Sequence, residues 1–184
     1  MYAGARNIMR QQSSVFGFGE AADDSGVLMK KYLLPGQLFA TKVPHEITTV
    51  LGSCVAVCLW DPVLRAGGMN HFMLPAYSGS GEPSNRYGDI ATRSLLARMD
   101  SLGSKRYNIR ANIFGGGNVL GSSSAEKDLI GVKNALMAKE VLKAEGINIV
   151  NEHTGEMHGR KIIFNTGSGD VYINYIKPLQ YKKG

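Results

Sequence analysis

The stretch Leu51-Gly-Ser-Cys-Val-Ala-Val-Cys-Leu-Trp-Asp-Pro62 decides the fold of this chain. Its six consecutive apolar residues, 55–60, are far fewer than the roughly 20 that a membrane helix needs. They are typical of a strand that is buried on both faces. The Gly-Ser pair breaks the pattern before this run, and Asp61-Pro62 ends it. The stretch therefore predicts a central strand, with Cys54 in an irregular segment at its N-terminal end.

The flanking sequence predicts a domain in which strands outnumber helices. Further strands are expected at 37–42, 46–51, 68–74, 109–114 and 147–151, and a hairpin is expected to join 161–165 to 170–176. Helical spacing predicts one helix over 89–102, with Asp89 as its cap, and a second over 133–145. The Ser-, Gly- and Pro-rich segment 76–86 predicts a surface loop. Because strands and helices do not alternate regularly, an α+β fold is favoured.

Length and charge narrow the possible classes of protein. A chain of 184 residues that is 43% hydrophobic fits one domain. We expect it over 31–184, preceded by a flexible tail over 1–30, because residues 1–25 show no periodicity. The net charge of +6 comes from scattered Lys and Arg residues, so nucleic-acid binding is not expected. Such a charge would instead favour encounter with an acidic protein.

The two cysteines indicate a reducing compartment. On one strand, Cys54 and Cys58 would lie about 13 Å apart, whereas a disulfide needs less than about 7 Å. Free thiols, together with the lack of an apolar signal segment or a membrane span, predict a cytoplasmic location. No zinc pattern accompanies these cysteines, and neither a metal nor a cofactor is expected.

Cys54 and His71 form a candidate catalytic pair. A thiol is strongly nucleophilic near neutral pH, and an imidazole beside it can take and return the proton. The Gly-Ser break could leave backbone N–H groups facing outward, as an oxyanion requires. Two alternatives remain open: Cys54 could fill the core, as we expect of Cys58, and a lone His on an apolar strand is often a satisfied core residue.

Two other motifs look chemical, but simpler interpretations are available. Phe114-Gly-Gly-Gly-Asn118 suggests a phosphate loop, yet Ser122 follows Gly121 where a P-loop would have Lys. A tight turn after a strand is the better interpretation. In His153-Thr-Gly-Glu-Met-His158, the glycines indicate a turn and not a metal-binding helix.

Taken together, several motifs closely resemble the chemoreceptor glutamine deamidases of the CheD family. They are Tyr32-Leu-Leu-Pro-Gly-Gln37, the stretch 51–62, Gly67-Gly-Met-Asn-His-Phe-Met-Leu-Pro75, Arg86-Tyr-Gly-Asp89 and 114–118. The match runs from about Tyr32 to Ile176. The resemblance implies a sandwich-like core of mixed β-sheets flanked by helices, similar to that of deamidating bacterial toxins.

The resemblance also implies an activity and a set of residues. Family members hydrolyse selected glutamines of methyl-accepting chemotaxis receptors to glutamate and ammonia, and some bind the phosphatase CheC. The family's nucleophile corresponds to Cys54 and its base to His71. Its third residue, a Thr six positions before the Cys, falls on Thr48, although Thr49 makes this register worth testing.

For the mechanism we expect a thioester intermediate on Cys54 and an oxyanion near Ser53, with Gly52 supporting it. Thr48 is expected to orient His71. The alternatives are a receptor-binding or CheC-regulating module with little turnover and, within the enzymes, a receptor methyl-ester hydrolase.

Overall fold

Ten strands and two α-helices make up the part of the chain that the computed structural model describes, residues 13–16, 28–118 and 125–176. In chain order the strands are β1 (Ser13–Phe16), β2 (Met29–Tyr32), β3 (Leu38–Thr41), β4 (His45–Leu51), β5 (Val55–Asp61), β6 (Ala66–Asn70), β7 (Arg110–Gly115), β8 (Asn148–Thr154), β9 (Gly159–Asn165) and β10 (Val171–Ile176). The helices are α1 (Gly88–Ser101) and α2 (Ala125–Ala144), and a short 3-10 helix spans Arg106–Asn108. No helix in these ranges is long and apolar enough to cross a bilayer.

The strands form two mixed sheets of five strands each. The first has the order β1-β10-β9-β4-β2, in which only β2 and β4 run parallel. The second has the order β3-β6-β5-β7-β8, in which only β7 and β8 run parallel. The α+β class and the mixed sheets predicted from the sequence are confirmed.

Strand β5 is central because it is covered on both faces. Its residues Ala56, Cys58 and Trp60 pack between the two sheets, whereas Val55, Val57 and Leu59 pack against α1 and α2. Side chains alternate between the faces of a strand, so both sets must be apolar. This explains the uninterrupted apolar run, and all seven residues of β5 are buried as predicted.

Two element boundaries differ from the predictions. The strand expected over 68–74 ends at Asn70, after which the His71 backbone pairs with the turn before β3: its N–H donates to Gln37 and its C=O accepts from Gly36. Helix α2 begins at Ala125, eight residues before the predicted start at 133. Gly131 weakens the helical pattern, but a Cβ there would lie 2.5 Å from the Gly116 carbonyl oxygen. The glycine is needed for close approach.

The N-terminal prediction and the predicted cap also need correction. Within the expected tail 1–30, residues 13–16 form β1 on the edge of the first sheet, and β2 begins at Met29; the rest of that tail, up to residue 27, lies outside the described residues. Asp89 lies in the first turn of α1 instead of capping it. Its carboxylate accepts from the amides of Tyr77 and Ile90, and so anchors the loop that precedes the helix.

Candidate functional site

The segment Gly52–Cys54 joins β4 to β5 and belongs to neither strand. All three of its carbonyl oxygens are bound: Gly52 accepts from the Gly117 amide (2.8 Å), Ser53 from the Asn134 side chain (3.0 Å) and Cys54 from the Gly116 amide (2.8 Å). A trans peptide points its N–H away from its C=O. The amides of Ser53 and Cys54 therefore face away from the glycine-rich segment and from α2.

These two amides are the candidate oxyanion donors. The next amide along the chain, that of Val55, is occupied because it donates to Phe72 (3.0 Å). Within the described residues, the amides of Ser53 and Cys54 are bonded to no other backbone carbonyl. Donors at and just before a nucleophile suit a developing oxyanion. Gly52 contributes its carbonyl to the support of the segment, and the oxyanion role of Ser53 stays a prediction.

The glycine-rich motif 114–118 packs against the segment Gly52–Cys54 on the side of its carbonyl groups. Gly115 has φ +112°, and a Cβ there would lie 2.1 Å from the Cys54 carbonyl oxygen. Gly116 also has a positive φ, +66°. Only glycine allows this backbone course at this spacing. The motif begins in the last two residues of β7 and continues past the end of the strand, and its amides hold carbonyl groups of the chain.

His71 is held at one ring nitrogen. Its Nδ1 lies 2.7 Å from the Thr49 hydroxyl oxygen, which in turn lies 2.9 Å from the Leu33 carbonyl oxygen. A carbonyl can only accept, so Thr49 donates its single proton to Leu33 and accepts from His71. Nδ1 therefore carries the ring proton, and Nε2 of the neutral imidazole carries the lone pair. Nε2 is buried and has no hydrogen-bond partner in the described part of the chain.

Thr49 contacts the His71 ring. The family resemblance assigned this contact to Thr48, one position earlier, and that assignment is wrong. Strand β4 alternates, with Ile47, Thr49 and Leu51 fully buried and Thr48 only partly buried. Residues of opposite parity face opposite sides of a sheet. Thr48 instead accepts a hydrogen bond from the Leu33 amide through its own carbonyl (2.9 Å).

Cys54 and His71 share one face of the second sheet. The bridge between Val55 and Phe72 extends the pairing of β5 with β6, and it sets Cys54 diagonally across from His71. Diagonal neighbours on one face lie roughly 7–8 Å apart, within reach of long side chains. The structure thus brings the two predicted residues together, although it contains no thiol–imidazole hydrogen bond. Such contacts often tighten only when substrate binds.

Burial favours a neutral pair at rest. It raises the pKa of the Cys54 thiol, an effect partly offset by a hydrogen bond from the residue's own amide. Burial also lowers the pKa of His71, partly opposed by the Leu33 carbonyl. In this resting arrangement the imidazole does not offset the effect of burial on the pKa of the Cys54 thiol. A neutral thiol has to lose its proton as it attacks, and a neutral imidazole beside it can accept that proton.

The loop 76–86 begins and ends beside this site. The Arg86 carbonyl accepts from the amides of Met73 and Leu74, and Met73 lies opposite Cys54. Residues 79–83 at its tip are exposed. The surface loop predicted from its composition is confirmed, and the anchored ends give it a position next to the candidate nucleophile.

Sequence reasoning missed Asn134. The residue is fully buried on α2, and its side-chain nitrogen donates to the carbonyl oxygens of Ser53 and Met73, both at 3.0 Å. The available signal was a polar residue among Gly131, Ala135 and Ala138 on the inward face of the helix. A buried amide among small residues indicates a specific hydrogen-bonding role.

A second missed feature is the fully buried Arg160 on β9. Its guanidinium donates to the carbonyl oxygens of His153 and Gly155 and to His153 Nδ1. The other ring nitrogen of His153, Nε2, lies 2.7 Å from the Tyr175 hydroxyl. Both ring nitrogens of His153 are therefore used in contacts within the chain.

A family model and the curated relatives identify the same family. The family model described as "CheD: CheD chemotactic sensory transduction" matches residues 73–175. Three curated relatives carry the name "Probable chemoreceptor glutamine deamidase CheD". The one from Rhodospirillum rubrum is 47% identical over 80% of this chain and 83% of its own length. Those from Trichlorobacter lovleyi and Sulfurimonas denitrificans are 43% and 38% identical, over 82% and 83% of this chain and 92% and 97% of their own lengths.

Among solved structures, the Bacillus licheniformis hypothetical protein YfiH aligns over 74% of this chain and 60% of its own, with 16% sequence identity and a TM-score of 0.44.

Proposed function

Because this chain belongs to the CheD family, we propose that it hydrolyses selected glutamine side chains of chemotaxis receptors to glutamate and ammonia. The single observation that supports this activity best is the polarity of the His71 ring. Its Nδ1 is held by Thr49, so its Nε2 lone pair is available on the face shared with Cys54. A base held in one tautomer beside a nucleophile is what thiol-dependent amide hydrolysis requires.

In the first half of the reaction, His71 Nε2 takes the proton of Cys54 as the sulfur attacks the glutamine amide carbon. The carbonyl oxygen becomes an oxyanion, which the amides of Ser53 and Cys54 receive. His71, now protonated at both nitrogens, gives the Nε2 proton to the departing nitrogen. Ammonia leaves and a thioester remains on Cys54.

In the second half, water replaces ammonia. Nε2 takes a proton from water as its oxygen attacks the thioester carbon, and the same two amides receive the second oxyanion. Collapse of this intermediate breaks the C–S bond, and the imidazolium returns its proton to sulfur. The receptor leaves with glutamate in place of glutamine, and Thr49 keeps Nδ1 protonated throughout.

The proposed substrate is a folded receptor segment, reached with the help of charge. The net charge of +6 favours encounter with glutamate-rich receptor helices, in a way that weakens as salt is raised. A CheC-type phosphatase is proposed as a second partner on the family resemblance alone. A cytoplasmic site of action is supported by the two free thiols.

The test incubates the purified chain with a receptor cytoplasmic fragment. Mass spectrometry of receptor peptides follows the conversion of an amide NH2 to OH, and ammonia is measured in parallel. We expect conversion at chosen glutamines only, and none with Cys54→Ala. If the wild-type chain binds the fragment but releases no ammonia, the deamidase proposal is wrong and a binding module is favoured.

A matched assay separates amide from ester chemistry. Amides and esters pass through similar tetrahedral intermediates, so fragments that carry either glutamine or glutamyl methyl ester at the same position are compared. We expect a larger kcat/KM for the amide. A larger value for the ester would favour a receptor methyl-ester hydrolase.

A further inference from the structure

The side chain of Asn134 joins the two chain segments that carry the candidate nucleophile and base. Its Nδ2 donates one hydrogen to the Ser53 carbonyl oxygen and the other to the Met73 carbonyl oxygen, each at 3.0 Å. Ser53 precedes Cys54, and Met73 lies opposite Cys54 two residues after His71. One buried amide group thus contacts both segments.

The bond to Ser53 fixes the direction of a neighbouring amide. The Ser53 carbonyl and the Cys54 N–H belong to the same planar peptide and point in opposite directions. Holding that oxygen towards α2 therefore directs the Cys54 N–H to the other side, where the residue's own sulfur lies. This is the place where an oxyanion would form on a carbon bonded to that sulfur.

Packing alone does not account for an asparagine here. Its Oδ1 is buried and has no hydrogen-bond partner among the residues that the structure describes, which costs folding free energy. An apolar side chain of the same shape would avoid that cost. The position of α2 does not depend on Asn134 alone. Gly131, one turn earlier in the helix, packs closely against Gly116. The residue is therefore suited to its two donated hydrogen bonds.

We infer that Asn134 is a positioning residue for deamidation, holding the Cys54 amide towards the oxyanion and fixing the Cys54 segment relative to the His71 segment. The inference rests on the proposed function. It predicts that Asn134 acts on the chemical step and leaves substrate binding largely unchanged, because the side chain is fully buried and cannot touch a receptor.

The first test compares Asn134→Leu, which keeps the branched shape without donors, with Asn112→Leu. Asn112 is an equally buried asparagine in the middle of β7, paired with Cys58. We expect Asn134→Leu to lower kcat by about 10²-fold, as for loss of an oxyanion donor, with little change in KM. Asn112→Leu should keep wild-type kcat. Equal losses of kcat in the two variants would overturn the inference.

The second test follows alkylation of Cys54 by iodoacetamide as a function of pH. If Asn134 holds the Cys54 amide near the sulfur, the midpoint of the profile moves to higher pH in Asn134→Leu and not in Asn112→Leu.

Should Asn134→Leu fail to fold, Asn134→Ser, which keeps one donor, is expected to retain part of kcat. If a folded Asn134 variant that lacks one or both donors keeps the wild-type kcat and the wild-type midpoint of the alkylation profile, the inference is wrong. Binding of the receptor fragment by the wild-type chain without any release of ammonia would instead refute the proposed function.

Discussion

Cys58 in β5 and Cys54 just before β5 lie on the same face of one sheet, but their backbones are held in different ways. Cys58 lies within the strand, opposite Met69 on one side and Asn112 on the other, so it belongs to a continuous ladder. Cys54 lies one residue before the strand, and its carbonyl is held by the glycine-rich segment. A ladder uses up the amides of its residues, whereas a break supported only through carbonyls leaves amides free. Catalysis of this kind needs the second arrangement.

Alanine substitution of the two cysteines should show the largest contrast. We expect Cys54→Ala to abolish ammonia release and leave the melting temperature nearly unchanged, because this thiol is only partly buried. Cys58→Ala should keep turnover and lose about 1–2 kcal/mol of unfolding free energy through a small cavity. Denaturant unfolding and the ammonia assay measure both effects. Normal turnover in Cys54→Ala would show that the nucleophile lies elsewhere.

Removal of the His71 ring should come next in size. His71→Ala is expected to lower kcat by about 10²–10⁴-fold, the contribution usual for general acid–base catalysis. In the wild type, the acid limb of kcat/KM should lie below the ordinary histidine value of 6.5, because burial lowers the pKa of His71. A pH–rate profile checks this directly. Full activity without the imidazole, or an acid limb above that value, would contradict the assigned base.

The two threonines of β4 offer a smaller and sharper comparison. Thr49→Val keeps the shape but leaves His71 Nδ1 and the Leu33 carbonyl without their shared hydroxyl, a loss of about 1–3 kcal/mol. We therefore expect kcat to fall about tenfold to 10²-fold. Thr48→Val should change stability and activity by less than about 0.5 kcal/mol. A greater loss of kcat at Thr48 would restore the register suggested by the family resemblance.

The smallest predicted effect is on stability in mild acid, through His153. Burial, and then the Arg160 guanidinium, lower the pKa of His153 below the value of 6.5 expected in the unfolded chain. Below that value the unfolded chain binds more protons than the folded chain. The contribution of neutral His153 to the free energy of unfolding is complete above pH 6.5. It is lost as the pH falls through the pKa that His153 has in the folded chain.

Thermal unfolding between about pH 7.5 and about pH 5.5 measures this effect. The melting temperature should fall across that range, and His153→Gln should reduce the fall without removing it, since His71 shows the same direction of shift. An identical pH dependence in the variant would show that His153 does not contribute.

Local patterns in the sequence were sufficient for several parts of the fold. The apolar run 55–60 predicted β5 because a strand covered on both faces must be apolar on both. The turn 166–169 and its alternating flanks predicted the hairpin of β9 and β10. The start of α2 could not be read in this way, because Gly131 is there to approach Gly116, a residue distant in sequence.

The site divides in the same way between sequence and tertiary structure. The residue types, the Gly-Ser break and the motif resemblance predicted Cys54 and His71 as the candidate pair, since their chemistry is a property of the side chains and their spacing. Only the tertiary structure decided between Thr48 and Thr49, because the face of a strand that meets His71 depends on how the two sheets pack. It also decided the two contacts of Asn134, whose partners lie 81 and 61 positions away in the chain. Contacts over such separations leave no periodic signal, and they form only when the helix packs against the sheet.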